Sequence, residues 1–545
     1  MELHDLTFKR RFSINFHGNL RLKQGEMSFY KDFIHDRRGD PYPLMGGTHY
    51  GCGSCACEGI VEEQVACGKY TVCARRGSFT ALEDAMTEDG RETGTLSDAE
   101  ISEKHDGQGL FNGAENGNQA KRGGAYVKRL MGGFFPWNIY EIDFTSLSCG
   151  GIGMTVESTE GNLSVLLRSC GVLEVDAEGN HFEFDVVLPQ DRNTLRTLTV
   201  SFRAGAMSVY LGKYGNHTQK ICDLRLPTLD LLRSESALHT AHAYLLTAIQ
   251  CGGEIVVERA EWFLSAGLSQ ADLRAVKYEN GEVMVRDGRI FLTASARLET
   301  ESYQVVLSWD PTLCDFRLEG TLLFDCGDGV LCGDVASSII YDRSKERWLI
   351  WMCMFSHGHF LGRAETTHCP LYGINYIDVV PMESASDPDE LTAFKGFRGD
   401  EDPDLVKIGD KWHLAVCRLV NGKYKYYHFV SDDPLDGFTY VNCTAGSEKT
   451  GGSFVLCHDG KICFVCGSDF SKRAVYDVYP VEDFTVCGHL KCDFDDGGFR
   501  GWGTVMLLPF GTRRRYTWIT FDRHNATAYN WSYGNLYVFD SESFR

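Results

Sequence analysis

Two stretches, Val306-Leu-Ser-Trp-Asp-Pro-Thr-Leu-Cys-Asp-Phe316 and Phe429-Val-Ser-Asp-Asp-Pro-Leu-Asp-Gly-Phe438, share one plan. Each has a β-forming run, then Ser-x-Asp-Pro, then a short turn closed by a Phe that opens another run. Asp-Pro fixes such a turn because the proline ring sets φ and the Asp carboxylate accepts nearby backbone N–H bonds. A turn of this kind joins the third and fourth strands of a four-stranded sheet. Outward from these copies, a turn followed by an apolar strand recurs five times: Asp287-Gly-Arg-Ile-Phe-Leu, Lys345-Glu-Arg-Trp-Leu-Ile-Trp, Gly409-Asp-Lys-Trp-His-Leu-Ala-Val, Asp459-Gly-Lys-Ile-Cys-Phe-Val and Arg514-Arg-Tyr-Thr-Trp-Ile. The intervals are uneven but near the ~40–50 residues of a propeller blade. Stacked blades bury faces that no single blade can bury. The chain therefore reads as all-β, with a five-bladed β-propeller over 270–545 and blades at 270–328, 329–385, 395–445, 446–494 and 495–545.

Upstream of the repeats, 125–269 carries short strand-like runs such as Phe182-Glu-Phe-Asp-Val-Val-Leu and Leu198-Thr-Val-Ser-Phe, the pattern of a β-sandwich-like domain. Residues 1–124 read as an irregular, loop-rich region packed on that domain, most polar and glycine-rich over 80–124. Cys52-x-x-Cys55-x-Cys57, with Cys67 and Cys73 after it, lacks the second C-x-x-C pair of a zinc ribbon. A structural role is expected for these cysteines, and neither a metal nor a cofactor is expected anywhere in the chain.

A formal charge of -21 opposes binding to nucleic acid or anionic lipid, and no long Lys/Arg run offsets it. Arg513-Arg514-Arg515 reads as a solvated turn. No apolar stretch is long enough to span a bilayer. Met1-Glu2-Leu3-His4-Asp5-Leu6 has neither a basic n-region nor an apolar h-region, so a cytoplasmic location and reduced cysteines are expected.

The first strand of each blade runs along a propeller's channel, so polar residues at blade starts can converge on one ligand. These starts read Cys332-Gly-Asp334-Val, Phe397-Arg398-Gly-Asp400-Glu401-Asp402-Pro403-Asp404, Thr450-Gly-Gly-Ser453 and Phe499-Arg500-Gly-Trp502-Gly-Thr504. Four carboxylates within five positions repel one another, so some must face solvent, pair with Arg398 or hold a proton. A protonated carboxyl beside an ionised one is what glycosidic cleavage uses.

On these residues the sequence resembles the five-bladed propeller glycosidases, the broad group of glycoside hydrolase families 32, 43 and 68. The resemblance covers about half the chain and implies that Asp334 is the nucleophile or base and that Asp402 orients the sugar or stabilises the transition state. The start of blade four departs from the pattern, having Thr450-Gly-Gly-Ser453 where a Glu is expected. Glu401 takes the general-acid role in this reading, with Glu448 a weaker candidate. Arg398, Asp404, Arg500, Trp502, His357, His359 and His524 are the expected substrate contacts, since rings stack on sugar C–H faces and polar groups bond hydroxyls. The expectation is an intracellular hydrolase of a small oligosaccharide or glycoside. A phosphorylase or transglycosidase using Arg398 and Arg500, a non-catalytic carbohydrate-binding protein, and a metal-dependent deacetylase using the histidines remain open.

Overall fold

The computed structural model describes residues 3, 6–16, 18–27, 48–51, 59–66, 69–76, 125–177, 179–188, 194–299, 301–382, 400–420, 423–445, 448–467, 475–493, 503–522 and 535–542. They form two units, 1–22 with 265–545, and 23–264.

In the first unit, blade one consists of Ser269–Ala275, Arg289–Arg297, Ser302–Asp310 and Asp315–Asp325, paired antiparallel in that order. Blade two has Val335–Asp342, Arg347–Met354, Phe360–Thr366 and the short edge Val380–Pro381. Blade three has Asp400–Ile408, Lys411–Val420, Lys423–Ser431 and Thr439–Cys443. Gly451–Leu456, Ile462–Gly467, Val475–Pro480 and Gly488–Cys492 make blade four. The first strands touch in a closed cycle, one to two, on through five, and back to one. That ring makes the unit a five-bladed propeller.

The repeated motifs fall where their chemistry places them. Both Ser-x-Asp-Pro turns join third and fourth strands, and all five turn-plus-apolar elements lead into second strands. Asp310 Oδ1 accepts the N–H groups of Thr312 and Leu313 at 2.7 and 3.0 Å, and Asp433 Oδ1 accepts that of Leu435 at 2.8 Å.

Blade five is completed from the other end of the chain. Thr504–Phe510, Arg513–Phe521 and Leu536–Asp540 pair in order, and the fourth strand is Thr7–Ile14, antiparallel to Leu536–Asp540. Phe8 is buried edge-on against Trp518, with ring centroids 5.6 Å apart. This corrects the reading of 1–124 as loop packed on the second domain, because 1–22 belongs with the propeller. Gly373–Asp378 falls between the third and fourth strands of blade two in sequence but lies parallel on the outer strand of blade one.

The second unit is built on two long strands, Ile139–Glu157 and His242–Ser265, paired antiparallel. The first stretch of Ile139–Glu157 pairs with Arg196–Arg203 and the last with Asn162–Arg168, so one strand serves both halves of the sheet. Cys149, at φ 47°, lies where the pairing changes over. Side chains from both halves, including Ile142, Phe144, Val165, Val200, Val209 and Ile255, form one buried core. The hairpin Gly59–Ala66 and Lys69–Arg76 also joins this sheet, a second departure from the loop reading. Residues 80–124 and Cys52, Cys55, Cys57 and Cys67 lie outside the described residues.

Candidate active site

Three inner strands break their pairing at one level. The register shifts between Ala271 and Arg274 in blade one, between Val335 and Ser338 in blade two, and between Glu401 and Asp404 in blade three. Within the shifts Asp272, Ala336 and Asp402 have φ of 53°, 58° and 50°. A left-handed non-glycine residue costs about 1–3 kcal/mol and persists where its surroundings over-determine it. Asp tolerates this region better than most residues, and a bulge re-aims the side chain it carries.

Around these bulges the groups are buried and charged. Arg274 is fully buried; burial pulls its pKa down, but Tyr426, Asp402, Asp404 and Asp272 hold it above the usual guanidinium value. Its Nε and Nη2 have no hydrogen-bond partner among the described residues. The Asp402 N–H donates to Cys353 Sγ at 3.2 Å. Burial raises the Cys353 thiol well above its ordinary value, reinforced by Asp402, Glu401 and Asp272, so it stays protonated at neutral pH. Asp272, Glu401 and Asp402 thus all lie within electrostatic reach of the Cys353 thiol. Asp272 also pairs with Arg297 at 3.4 Å.

Glu401 meets His359 of blade two, with Nε2 to Oε1 3.1 Å. The approach is off the hydrogen-bonding axis, since the same Nε2 forms no aligned bond. His359 lies tilted against Phe355, ring centroids 4.6 Å apart, and has φ 61°. Tyr424 lies in the same field. Burial, then Glu401, Cys417 and Asp402, push its phenol up to about 12.

Asp334 sits just before its strand, and both its oxygens are engaged by one residue. Oδ1 accepts the Ser356 N–H at 3.0 Å and Oδ2 the Ser356 hydroxyl. Burial raises its pKa against these bonds. His357 links Ser356, at 2.9 Å from Nδ1, to Asp328, at 3.1 Å from Nε2. The turn 355–359 thus ties Asp334 to Glu401.

Asp404 departs from the expected substrate contact. Its carboxylate accepts Lys277 Nζ at 2.8 and 2.7 Å, Ser338 Oγ at 2.9 Å and the Phe454 N–H at 2.7 Å, all buried. Burial lowers the Lys277 pKa despite this partner. Asp400 likewise pairs with Arg418 at 2.6 and 2.7 Å. These pairs brace the inner strands and leave Asp404 no part in holding a ligand. Arg398, Arg500, Trp502 and His524 lie outside the described residues. A cavity of about 310 Å³ is lined by Lys277, Phe454, Leu508 and Arg514, the first two being partners of Asp404.

Sequence reasoning missed Asp272 and Arg274. Their signal was an acid and an arginine inside the otherwise small or apolar Ser269-Gln-Ala-Asp-Leu-Arg-Ala. Tyr424 gave none, being one aromatic among many in a strand.

No protein-family model matches the chain, and no curated protein does. Among solved structures it is similar to a thermostable family-43 glycoside hydrolase, at 13% identity over 51% of this chain and 90% of that one, with a TM-score of 0.32. It is also similar to a family 117 glycoside hydrolase produced by the marine bacterium Zobellia galactanivorans, at 11% identity over 50% and 84%, with a TM-score of 0.33. A non-specific endo-β-1,3(4)-glucanase from family GH16 matches at 9% identity over 45% and 94%, with a TM-score of 0.25. The ring of inner strands, rather than these likenesses, carries the fold.

Proposed function

We propose that the propeller is an intracellular glycoside hydrolase acting on a small oligosaccharide or glycoside. The observation that carries this reading is the pair Asp272 and Asp402, held at left-handed bulges of two inner strands around the buried Arg274. Two carboxyl groups flanking one bond are the machinery of glycosidic cleavage. In this reading Glu401, with His359 beside it, protonates the leaving oxygen as the glycosidic C–O bond breaks. Asp272 takes a proton from water as its oxygen attacks the anomeric carbon, or attacks that carbon itself, while Asp402 stabilises the positive charge developing there. Arg274, buried in the field of both aspartates, offers its Nε and Nη2 to sugar or water.

Asp334 takes a different role from the one its family-like position implied. With both oxygens on Ser356, it holds the turn that brings His359 to Glu401, and Asp272 becomes the attacking or base carboxylate.

A panel of nitrophenyl furanosides and pyranosides tests the reading. Release of nitrophenol by the wild-type chain supports it. A folded protein that releases none, and returns oligosaccharides unchanged, overturns it.

A further inference from the structure

At the start of blade two a sulfur, a carboxylate and an imidazole converge. One ligand-capable atom from each of Cys332, Asp334 and His357 lies within 4.8 Å of the others. Cys332 and Asp334 are buried, and His357 is part-buried on the turn Phe355–His357 that Gly358 ends at φ 90°. His357 Nδ1 is 3.8 Å from Cys332 Sγ and 2.9 Å from Ser356 Oγ, while its Nε2 is 3.1 Å from Asp328 Oδ2.

A carboxylate on Nε2 fixes the imidazole proton there and leaves the Nδ1 lone pair facing Cys332 and Asp334. The Ser356 hydroxyl has one hydrogen, within reach of both Asp334 Oδ2 and His357 Nδ1, and can serve only one of them. The Cys332 S–H, 3.7 Å from the Val330 carbonyl and 3.8 Å from Nδ1, is the other hydrogen at this spot, and a cation that displaced it would bind the thiolate and the Nδ1 lone pair together. Each oxygen of Asp334 keeps a lone pair for such a cation while bonded to Ser356.

We propose that Cys332 Sγ, the Asp334 carboxylate and His357 Nδ1 form a zinc site, with Asp328 orienting the imidazole from outside. Thiolate and imidazole ligands select zinc over magnesium or calcium, which take oxygen. Three protein ligands leave a fourth tetrahedral position for water. Loading releases the Cys332 thiol proton to solvent and involves no redox change. The sequence names no metal ligand but leaves metal binding near His357 and His359 open. The site involves neither Asp272 nor Asp402 but shares Asp334 with the turn that carries His359, and metal uptake is read without turnover.

The test uses the full chain, stripped with a chelator and titrated with Co²⁺ alone as a spectroscopic probe, then with Zn²⁺ as competitor. Wild type is expected to bind Co²⁺ with a sulfur-to-cobalt charge-transfer absorption that Zn²⁺ abolishes. Cys332→Ala should lose that band and one equivalent of metal, and so should His357→Gln, a part-exposed position whose change leaves the fold standing. Asp328→Asn should weaken binding by roughly 10- to 100-fold, the usual cost of an outer-shell partner. Cys55→Ala should leave the band unchanged. Wild type taking up neither ion, or a band kept by His357→Gln and lost by Cys55→Ala, overturns the proposal.

Discussion

His359 Nε2 stands 3.1 Å from Glu401 Oε1, joining the turn after the second strand of blade two to the inner strand of blade three. Two blades thereby share one candidate proton donor, and leaving-group dependence tests it. Glu401→Gln should lose roughly 10²–10⁴-fold on a natural glycoside and far less on a nitrophenyl glycoside, which needs little protonation. His359→Gln should show the same split with smaller losses. Equal losses on both substrates remove Glu401 from the acid role.

Asp404 distinguishes bracing from substrate contact. Asp404→Asn leaves the Lys277 ammonium buried without its counter-charge, which typically costs about 3–5 kcal/mol. Urea denaturation should show this loss, with KM little changed in the protein that remains folded. A stable variant with a large rise in KM would make Asp404 a ligand contact after all.

Completion of blade five by Thr7–Ile14 predicts that a residue far from the repeats controls propeller stability. Phe8→Ala empties a buried site against Trp518 and should cost about 3–5 kcal/mol, read from the urea midpoint. A loss below about 1 kcal/mol would mean that blade five holds without this strand.

The fold was legible where the chemistry is local. Asp310-Pro311 and Asp433-Pro434 make their turns within three residues, and each apolar second strand follows its own turn, so five blades could be counted. Thr7–Ile14 could not be placed, because its partner Leu536–Asp540 lies at the far end of the chain and pairing leaves no local mark. The acidic start of blade three stood out, but in a single sequence nothing separates Asp404, bonded to Lys277, Ser338 and Phe454, from Asp402, which sits in the bulge. Asp272 escaped notice because its bulge is a backbone event, and a lone acid in a short strand resembles an edge residue. The tie of Asp334 to Ser356 depends on a turn whose direction only coordinates give.

His428 predicts the acid response. Its imidazole is stacked on Phe484 at 4.8 Å; burial, then His413, lowers its pKa from 6.5 to about 4. The unfolded chain therefore takes up a proton below 6.5 that the folded chain refuses until about 4. Stability present above 6.5 is lost progressively as pH falls towards 4, by up to about 3 kcal/mol at roughly 1.4 kcal/mol per unit. Urea midpoints across that range should fall for wild type and fall less for His428→Gln. Parallel profiles would contradict the assignment.

The most direct test of the account is turnover of a nitrophenyl glycoside by Asp272→Asn and Asp402→Asn beside wild type. Asn tolerates the left-handed backbone as Asp does, so both bulges persist while the charge is removed. Each variant is predicted to unfold near the wild-type temperature and to lose roughly 10²–10⁴-fold in kcat. Wild-type turnover in either folded variant would contradict the claim that these two aspartates carry the chemistry.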